Sequence, residues 1–144
     1  MPVTAPVTEF LRIDTSAPTQ LLDITERVGK VVRDTGIRNG IVQVMTLHTT
    51  AAIRLGESEP GLLQDIADFF NKLAPPEAGY RHDLTPVDDR KNAHGHIAAF
   101  LLGASEGMAV RDGRLLLGAW QKIFFVELDG PRCGREVVVT VVGK

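Results

Sequence analysis

Residues 137–142 read Val-Val-Val-Thr-Val-Val, one of the longest apolar runs in the chain. β-Branched side chains favour strands, and successive side chains of a strand point to opposite faces. Both faces of this strand are therefore apolar, and such a strand is tolerated only where both faces are covered. The sequence predicts that a second sheet or another subunit supplies one of the two covers.

Apolar residues that recur at helical spacing predict three helices in the middle of the chain. The first covers residues 23–36, with a polar cap at its start and Gly36 at its end. The second covers 58–75, where a proline suits the first turn and two prolines follow the last. The third is predicted from a cap at Asn92 to a terminating Gly103.

The rest of the chain shows short apolar segments separated by turns, without the regular strand-helix alternation that signals a parallel sheet. This arrangement predicts an α+β fold with mostly antiparallel strands and about three helices. A hairpin turn is expected at 111–114 and a long polar loop at 75–90. The predicted strands are residues 7–13, 41–45, 108–110, 115–120, 123–128 and 137–142.

Length and charge limit the class of protein. A chain of 144 residues predicts a single domain, residues 1–144, and a net charge of −2 gives no electrostatic reason to expect nucleic acid or a membrane as a partner. The apolar runs are too short to span a bilayer, and the first ten residues do not resemble a signal peptide. One cysteine, Cys133, agrees with a reducing compartment, so a cytoplasmic location is expected.

All four histidines lie between His48 and His96, in three separate fragments of the chain. His48 follows a predicted strand, His82 lies in the long loop, and His94 and His96 lie in the predicted third helix. In a helix, two residues at this spacing point about 200° apart, so only one of the pair can face a given site. We favour His96, one turn before an apolar residue, and a solvated position is the simplest interpretation of His94.

The spacing leaves three interpretations of these histidines open. His48, His82 and His96, with His94 as an optional fourth ligand, suit a zinc site with an open position. The same imidazoles suit acid/base catalysis or phosphate binding, and they can also be unrelated structural residues. Glu57 and Asp65 are candidate general bases or supports for a metal ligand, although a charge near a helix start also explains Asp65.

Further candidates lie in the C-terminal half. Arg132 and Arg135 lie on a Gly/Pro-rich turn, where guanidinium groups suit a phosphate or carboxylate, or are simply solvated. Ser105 follows the third helix and can add a hydroxyl to an anion pocket. Trp120 and Gln121 offer an aromatic face and an amide, although packing alone explains a tryptophan.

The ordered motifs resemble the YjbQ-like family, which is described as secondary thiamine-phosphate synthase. The resemblance runs from about residue 23 to residue 143, and Gly56-Glu57-Ser58 departs from an Asn-Glu-Asn-like segment common in relatives. The motifs are His-Thr-Thr-Ala-Ala-Ile at 48–53, Tyr-Arg-His-Asp at 80–83, Asn-Ala-His-Gly-His at 92–96, Leu-Gly-Ala-Ser at 102–105, Leu-Gly-Ala-Trp-Gln at 117–121 and Glu-Leu-Asp-Gly-Pro-Arg at 127–132.

The resemblance implies a compact α+β fold with a β-sandwich, assembled as a homotrimer with its sites near subunit contacts. It also implies a reaction that joins a pyrimidine diphosphate to a thiazole phosphate with release of pyrophosphate, as a side activity beside an unknown main role. The family pattern supports a functional role for His94 less well than for His96. The functional positions that the resemblance implies are His48, Glu57, Asp65, His82, His96, Ser105, Trp120, Gln121, Glu127 and Arg135.

Three functions follow as hypotheses for this chain. The first is the transferase, in which Mg²⁺ is expected if the pyrophosphate chemistry is real. The second is a Zn²⁺-dependent hydrolase of a small phosphorylated molecule, with Glu57 as base. The third is a non-catalytic trimer that binds a metal or small ligand.

Overall fold

The computed structural model describes residues 2–144 and confirms the predicted α+β class, with three α-helices and antiparallel strands. A 3₁₀ turn, Arg81–Leu84, lies in the predicted long loop. The helices are α1 Thr25–Thr35, α2 Pro60–Leu73 and α3 Ala93–Leu102. The strands are β1 Val7–Ile13, β2 Gln20–Asp23, β3 Gly40–Thr46, β4 Ala51–Gly56, β5 Ser105–Arg111, β6 Arg114–Leu115, β7 Lys122–Glu127 and β8 Arg135–Gly143.

The strands form two antiparallel sheets that share one core. The large sheet has the order β1-β8-β3-β5-β6, and the small sheet has the order β2-β7-β4. Buried side chains from both sheets and from α1 pack together, among them Val28, Val42, Ile53, Phe125 and Val139. This shared core means that the small sheet covers the inner face of the large one.

The central strand of the small sheet, β7, is buried on both faces. Ile123 and Phe125 belong to the core shared with the large sheet, whereas Phe124 and Val126 pack with side chains of α2 and α3 on the other side. Alternation of side chains along a strand produces this double burial. The small sheet is therefore a middle layer between the large sheet and helices α2 and α3.

Strand β8 is buried on one face only, although the sequence predicts cover on both. Val137, Val139 and Val141 are fully buried, whereas Val138 and Val142 on the outer face are only half-buried. The small sheet supplies the inner cover, and residues 2–144 of this chain supply no equivalent layer outside.

Local signals explain where α1 and α2 begin and end. Asp23 Oδ1 accepts a hydrogen bond from the Thr25 N–H at the start of α1, and Gly36, with a φ of 73°, ends it in the left-handed conformation. The Glu59 carboxylate accepts from two N–H groups at the start of α2. Within the part of the chain described, no helix has both the length and the apolar character that crossing a bilayer requires.

Helix α3 begins at the predicted position, and Gly95 brings it unusually close to the end of β7. A Cβ atom on Gly95 would lie 2.7 Å from the Leu128 carbonyl oxygen, so any larger residue would force the two segments apart. This close approach places the first turn of α3, including His96, beside the β7–β8 loop.

One predicted strand is wrong over most of its length, and two strands were not predicted. The predicted strand at 115–120 is wrong beyond Leu115, because Gly118 and Gln121 form a turn in which the Gly118 N–H donates to Gln121 Oε1 at 2.8 Å. Strands β2 and β4 were not predicted. β4 contains two alanines and ends at a glycine, residues with little strand preference, and its pairing with β7 makes it a strand.

Candidate functional site

Three separate segments bring His48, His82 and His96 to one cavity of about 420 Å³, here called the polar cavity. His48 lies in the β3–β4 loop, His82 in the 3₁₀ turn and His96 in the first turn of α3. The predicted convergence from a strand end, a loop and a helix start is therefore what the structure shows. The other lining residues are Leu47, Thr49, Thr50, Val87, Asp88, Asn92, Arg132 and Arg135.

A second cavity of about 530 Å³, the apolar cavity, adjoins the polar one. Both share Leu47, His48, Thr49 and His96, so the two imidazoles stand on the boundary between them. Most of its remaining lining is apolar: Met45, Thr46, Ala51, Ala99, Phe100 and Ala104. Together the cavities offer a polar compartment and an apolar compartment side by side.

A buried ion pair forms the floor of the polar cavity. Arg135 Nε donates to Glu127 Oε2 at 2.9 Å and Arg135 Nη2 to Glu127 Oε1 at 2.5 Å, while Nη2 also donates to Thr50 Oγ1. Glu127 is 0% and Arg135 4% exposed. Burial alone would raise the pKa of Glu127, but hydrogen bonds from Arg135, the Asp129 N–H and Thr15 hold it below its ordinary value. Arg135 therefore reaches the cavity with its charge largely neutralised.

A second ion pair stands beside the first. Arg132 Nη2 donates to Asp129 Oδ2 at 2.6 Å and Arg132 Nε to the Asp129 carbonyl oxygen at 3.1 Å. Burial opposes ionisation of Asp129, but the hydrogen bonds from Asn92 and Arg132 lower its pKa overall. The Arg132 side chain remains 27% exposed, which makes it the more accessible of the two guanidinium groups.

The backbone fixes the protonation state of His48. The Glu136 N–H donates to His48 Nε2 at 2.8 Å, so this nitrogen carries a lone pair and the neutral ring carries its proton on Nδ1. Burial, followed by the positive charge of Arg135, lowers the pKa of His48. His48 therefore offers the site a hydrogen-bond donor, Nδ1–H, in its neutral form.

His82 and His96 lie side by side, with ring centroids 4.9 Å apart and planes tilted by 52°. Burial, and then the positive charge that His82 carries when protonated, lowers the pKa of His96. Asp83 Oδ1 lies 3.4 Å from His82 Nδ1, a long contact. The two rings are close enough that a proton on His82 disfavours a proton on His96.

His94 points to the other side of α3, away from the polar cavity. It lines a void of about 10 Å³ with Thr19, Phe70, Asn71 and other residues near α2. The prediction that only one of His94 and His96 faces the site is confirmed, but the solvated position expected for His94 is wrong. Its ring is half-buried under α2, with Nδ1 buried and lacking a hydrogen-bond partner within residues 2–144.

The geometry does not support the predicted zinc ligands, His48, His82 and His96 with His94. Among residues 2–144, no group of three or more His, Cys, Asp or Glu side chains is arranged to hold a metal ion. The Glu136 N–H occupies His48 Nε2, and His94 lines a different void. Mg²⁺ prefers oxygen ligands, and Asp88 is the carboxylate residue in the polar lining. No preformed Zn²⁺ or Mg²⁺ site is therefore present among residues 2–144.

The other predicted residues lie outside the polar cavity. Glu57 follows β4 at the end opposite His48, about 20 Å away along six strand residues. Trp120, 75% exposed, and Gln121 lie at this same end, because Lys122 of β7 pairs with Gly56 of β4. Two further exposed positions are Asp65 on α2 and Ser105 at the start of β5, next to Ala104 of the apolar cavity.

Three polar residues that form hydrogen bonds in the cavity wall or its floor were not predicted as site residues. Thr50 accepts from Arg135, and Thr15 Oγ1 donates to Glu127 Oε2 at 2.9 Å. Asn92 was predicted as a helix cap, but its side chain makes no cap hydrogen bond and lies in the cavity lining. For Thr50 and Asn92 the available signal was their place in the same short motifs as His48 and His94–His96, whereas nothing in the sequence near Thr15 points to the site.

Comparison with known proteins finds relatives that match nearly the whole chain. The model of the family described as UPF0047 protein YjbQ-like matches residues 9–144. A UPF0047 protein of Methanothermobacter thermautotrophicus is 44% identical over 137 residues, which are 95% of this chain and 92% of that protein. UPF0047 protein YugU of Bacillus subtilis is 36% identical, over 85% of this chain and 89% of its own length.

Solved structures show the same fold. A crystal structure of a YbjQ-like protein of unknown function from Sulfolobus solfataricus superposes with a TM-score of 0.93. It is 37% identical, over 99% of this chain and all of that one. A hypothetical protein from Aeropyrum pernix gives a TM-score of 0.90 at 38% identity, over 96% of this chain and 99% of that one.

Proposed function

This chain belongs to the UPF0047 YjbQ-like protein family, and we propose that it is an enzyme that transfers a group between small phosphorylated molecules. The polar cavity is its proposed reaction site. The reaction we assign is that of a secondary thiamine-phosphate synthase, which joins a pyrimidine diphosphate to a thiazole phosphate and releases pyrophosphate. We expect it as a side activity in the cytoplasm.

The observation that carries the proposal is the pair of adjoining cavities with His48 and His96 on their boundary. A flat heteroaromatic ring suits the apolar cavity, and a phosphate suits the donors of the polar cavity. In a molecule bound with its ring in the apolar cavity and its phosphate in the polar cavity, the bond that links the ring substituent to the phosphate would lie near His48 and His96. This is the bond that the proposed reaction breaks.

In the proposed reaction, a ring nitrogen of the thiazole attacks the methylene carbon that carries the diphosphate. The new C–N bond forms as the C–O bond breaks, and the C–O electron pair leaves with pyrophosphate. Negative charge therefore develops on the departing oxygen. Donors positioned for that charge accelerate the step because they bind the transition state more tightly than the ground state.

The side chains of the polar cavity suit that task. His48 presents a neutral donor, Nδ1–H, since its Nε2 accepts from the Glu136 N–H. Arg132 keeps part of its guanidinium group exposed, and the His82–His96 pair can supply a proton to the leaving group. Arg135 and Glu127 act as positioning residues beneath them, because their buried pair ties the start of β8 to the Thr50 loop.

A zinc-dependent hydrolase is the second candidate, and one observation favours it. The His82 and His96 rings lie close enough, at 4.9 Å between centroids, to be two ligands of one ion. A third ligand would require His48 to release the Glu136 N–H or to turn its Nδ1 to the metal. Elemental analysis separates the candidates, since near-stoichiometric zinc that disappears in His82→Ala would favour the hydrolase.

We also propose that the chain assembles as a homotrimer through the outer face of the large sheet. That face carries apolar side chains, and Phe10 and Ile41 are 60% and 59% exposed. Met45 of the same face also lines the apolar cavity, so a neighbouring copy seated there would form part of the site. Such an arrangement can bring the Glu57–Trp120 end of one copy towards the histidines of another.

The test of the activity is direct. Purified protein is incubated with the two precursors, and thiamine phosphate and pyrophosphate are measured in the parent, in His96→Ala and in His94→Ala. We expect product from the parent, at least a tenfold lower rate in His96→Ala and an unchanged rate in His94→Ala. Full activity in His96→Ala would contradict the proposal, as would phosphate binding without turnover, which is the result expected of a non-catalytic binding protein.

A further inference from the structure

The side chain of Asn92 is buried in the wall of the polar cavity without a complete set of hydrogen bonds. Asn92 is 4% exposed and immediately precedes α3. Its side chain does not cap that helix, because Asp83 Oδ1 accepts from the Ala93 N–H instead. Buried amide groups are almost always paired, so an unpaired one needs an explanation.

The orientation of the Asn92 amide is determined by its neighbour. Nδ2 donates to Asp129 Oδ2 at 2.8 Å, and this carboxylate also accepts from Arg132. An ionised carboxylate only accepts hydrogen bonds, so the amide cannot be turned round without placing two acceptors together. The carbonyl oxygen, Oδ1, is therefore held as an acceptor. It is itself buried and has no partner within residues 2–144, so a ligand that pairs with it must displace part of the cavity wall.

The acceptor lies next to the accessible guanidinium group. Asn92 Nδ2 and Arg132 Nη2 both donate to the same oxygen of Asp129, at 2.8 and 2.6 Å. An anion bound at Arg132 would therefore lie only a few atoms from Asn92. Asp83 Oδ2 is also buried without a partner, but Asp83, unlike Asn92 and Arg132, does not line the polar cavity.

We propose that Asn92 Oδ1 accepts a hydrogen bond from a hydroxyl or amino group of the bound substrate. The substrate class is then a phosphate ester that carries an O–H or N–H donor a few atoms from its phosphate. This inference rests on the proposed phosphate-binding function and adds a determinant of specificity to it. A site with a fixed acceptor discriminates against analogues that lack the donor, because the acceptor then stays unpaired.

Calorimetric titrations with two probes that differ by one hydroxyl test the inference. The probes are 2-hydroxyethyl phosphate and ethyl phosphate, each titrated into the parent protein, Asn92→Ala and Asn71→Ala. Asn71 is the matched control, an exposed amide on α2 that accepts from Thr19 outside the cavity. We expect the hydroxylated probe to bind the parent and Asn71→Ala about fivefold more tightly, and the two probes to bind Asn92→Ala equally.

Each alternative result has a distinct meaning. Equal binding of the two probes to the parent protein would overturn the inference and leave phosphate binding intact; it is the result expected if a bound water satisfies Oδ1. A preference that persists in Asn92→Ala would assign the discrimination to another residue and also overturn it. Binding of neither probe to the parent would contradict the proposed function itself. The comparison in the parent protein does not depend on whether Asn92→Ala folds.

Discussion

The two ends of the small sheet differ in how their polar side chains are held. At one end, Glu127, Arg135 and Thr50 form a buried network under the histidines. At the other end, Glu57 is exposed and Trp120 is 75% exposed, so neither lies in an enclosed site within one chain. The first end is organised by its own chain, whereas the second would need a neighbouring copy to enclose it.

This difference shows what a single chain can preorganise. The network end holds ion pairs and a fixed imidazole tautomer before any ligand arrives, and such preorganisation is what electrostatic catalysis requires. The exposed end has side chains of suitable chemistry but few constraints on them. Variants of the buried network, of the outer face of the large sheet and of α3 test this difference through stability, self-association and phosphate binding.

The largest effect is expected where the buried network is broken. Arg135→Met leaves the Glu127 carboxylate buried without its main partner, and loss of one member of a buried pair costs about 3–5 kcal/mol. We expect the free energy of unfolding, measured in urea, to fall by that amount. Arg38→Met is the matched control, because the Arg38–Asp112 pair is long, at 3.6 Å, and exposed. Arg38→Met should lower the free energy of unfolding by less than about 1 kcal/mol. Similar losses in Arg135→Met and Arg38→Met would contradict the account.

The next effect concerns self-association. Ile41→Glu places a charge on the outer face of the large sheet, at a side chain that is 59% exposed. We expect light scattering to show a trimer for the parent and a smaller species for the variant, with unchanged circular dichroism. Leu73→Glu on α2, at a residue 53% exposed, is the control and should remain trimeric. A parent that is monomeric at all concentrations would rule out the proposed assembly.

A smaller effect separates the two faces of α3. His96 lines the polar cavity and His94 lines the void under α2. We expect His96→Gln to weaken binding of ethyl phosphate about tenfold, which corresponds to about 1.4 kcal/mol, and His94→Gln to leave it unchanged. Calorimetric titration of both variants checks this, and equal losses would show that the two histidines are not separated as described.

The smallest effect expected is on the pH dependence of stability. The pKa values of His48 and His96 lie below their ordinary value of 6.5, so the unfolded chain binds protons that the folded chain does not. Their contribution to stability is present above pH 6.5 and is lost as the pH falls through the lower pKa of the folded state. The free energy of unfolding, measured in urea between pH 7.5 and 5, should depend less on pH in His48→Gln than in the parent. An unchanged dependence would contradict the lowering of the His48 pKa by burial and by Arg135.

Much of the fold was predictable because local signals agree with tertiary structure. Residues 7–13 form β1 as predicted, and Gly36 and Gly103 follow the ends of helices where expected. The predicted strand at 115–120 is wrong because three consecutive leucines are typical of a strand, whereas the chain turns after them. β4 was not predicted because its residues have little strand preference. Its pairing partners in β7 lie 66 to 76 residues later in the chain, from Gly56 opposite Lys122 to Ala51 opposite Glu127.

The candidate site was predictable only in part. The convergence of His48, His82 and His96 followed from their placement in three kinds of segment. The partners of those residues could not be predicted, because the Glu136 N–H on His48 and the Asp129 carboxylate on Asn92 come from distant parts of the chain. Sequence spacing indicates which residues meet, but not which of their atoms remain free.

The most direct test of the central claim is side-chain nitrogen NMR of the four histidines during titration with inorganic phosphate. The account predicts a neutral His48 with its proton on Nδ1 before phosphate is added. Signals of His48, His82 and His96 should then shift together on binding, while those of His94 stay in place. A shift confined to His94, or no shift of the other three at saturating phosphate, would contradict the assignment of the polar cavity as the functional site.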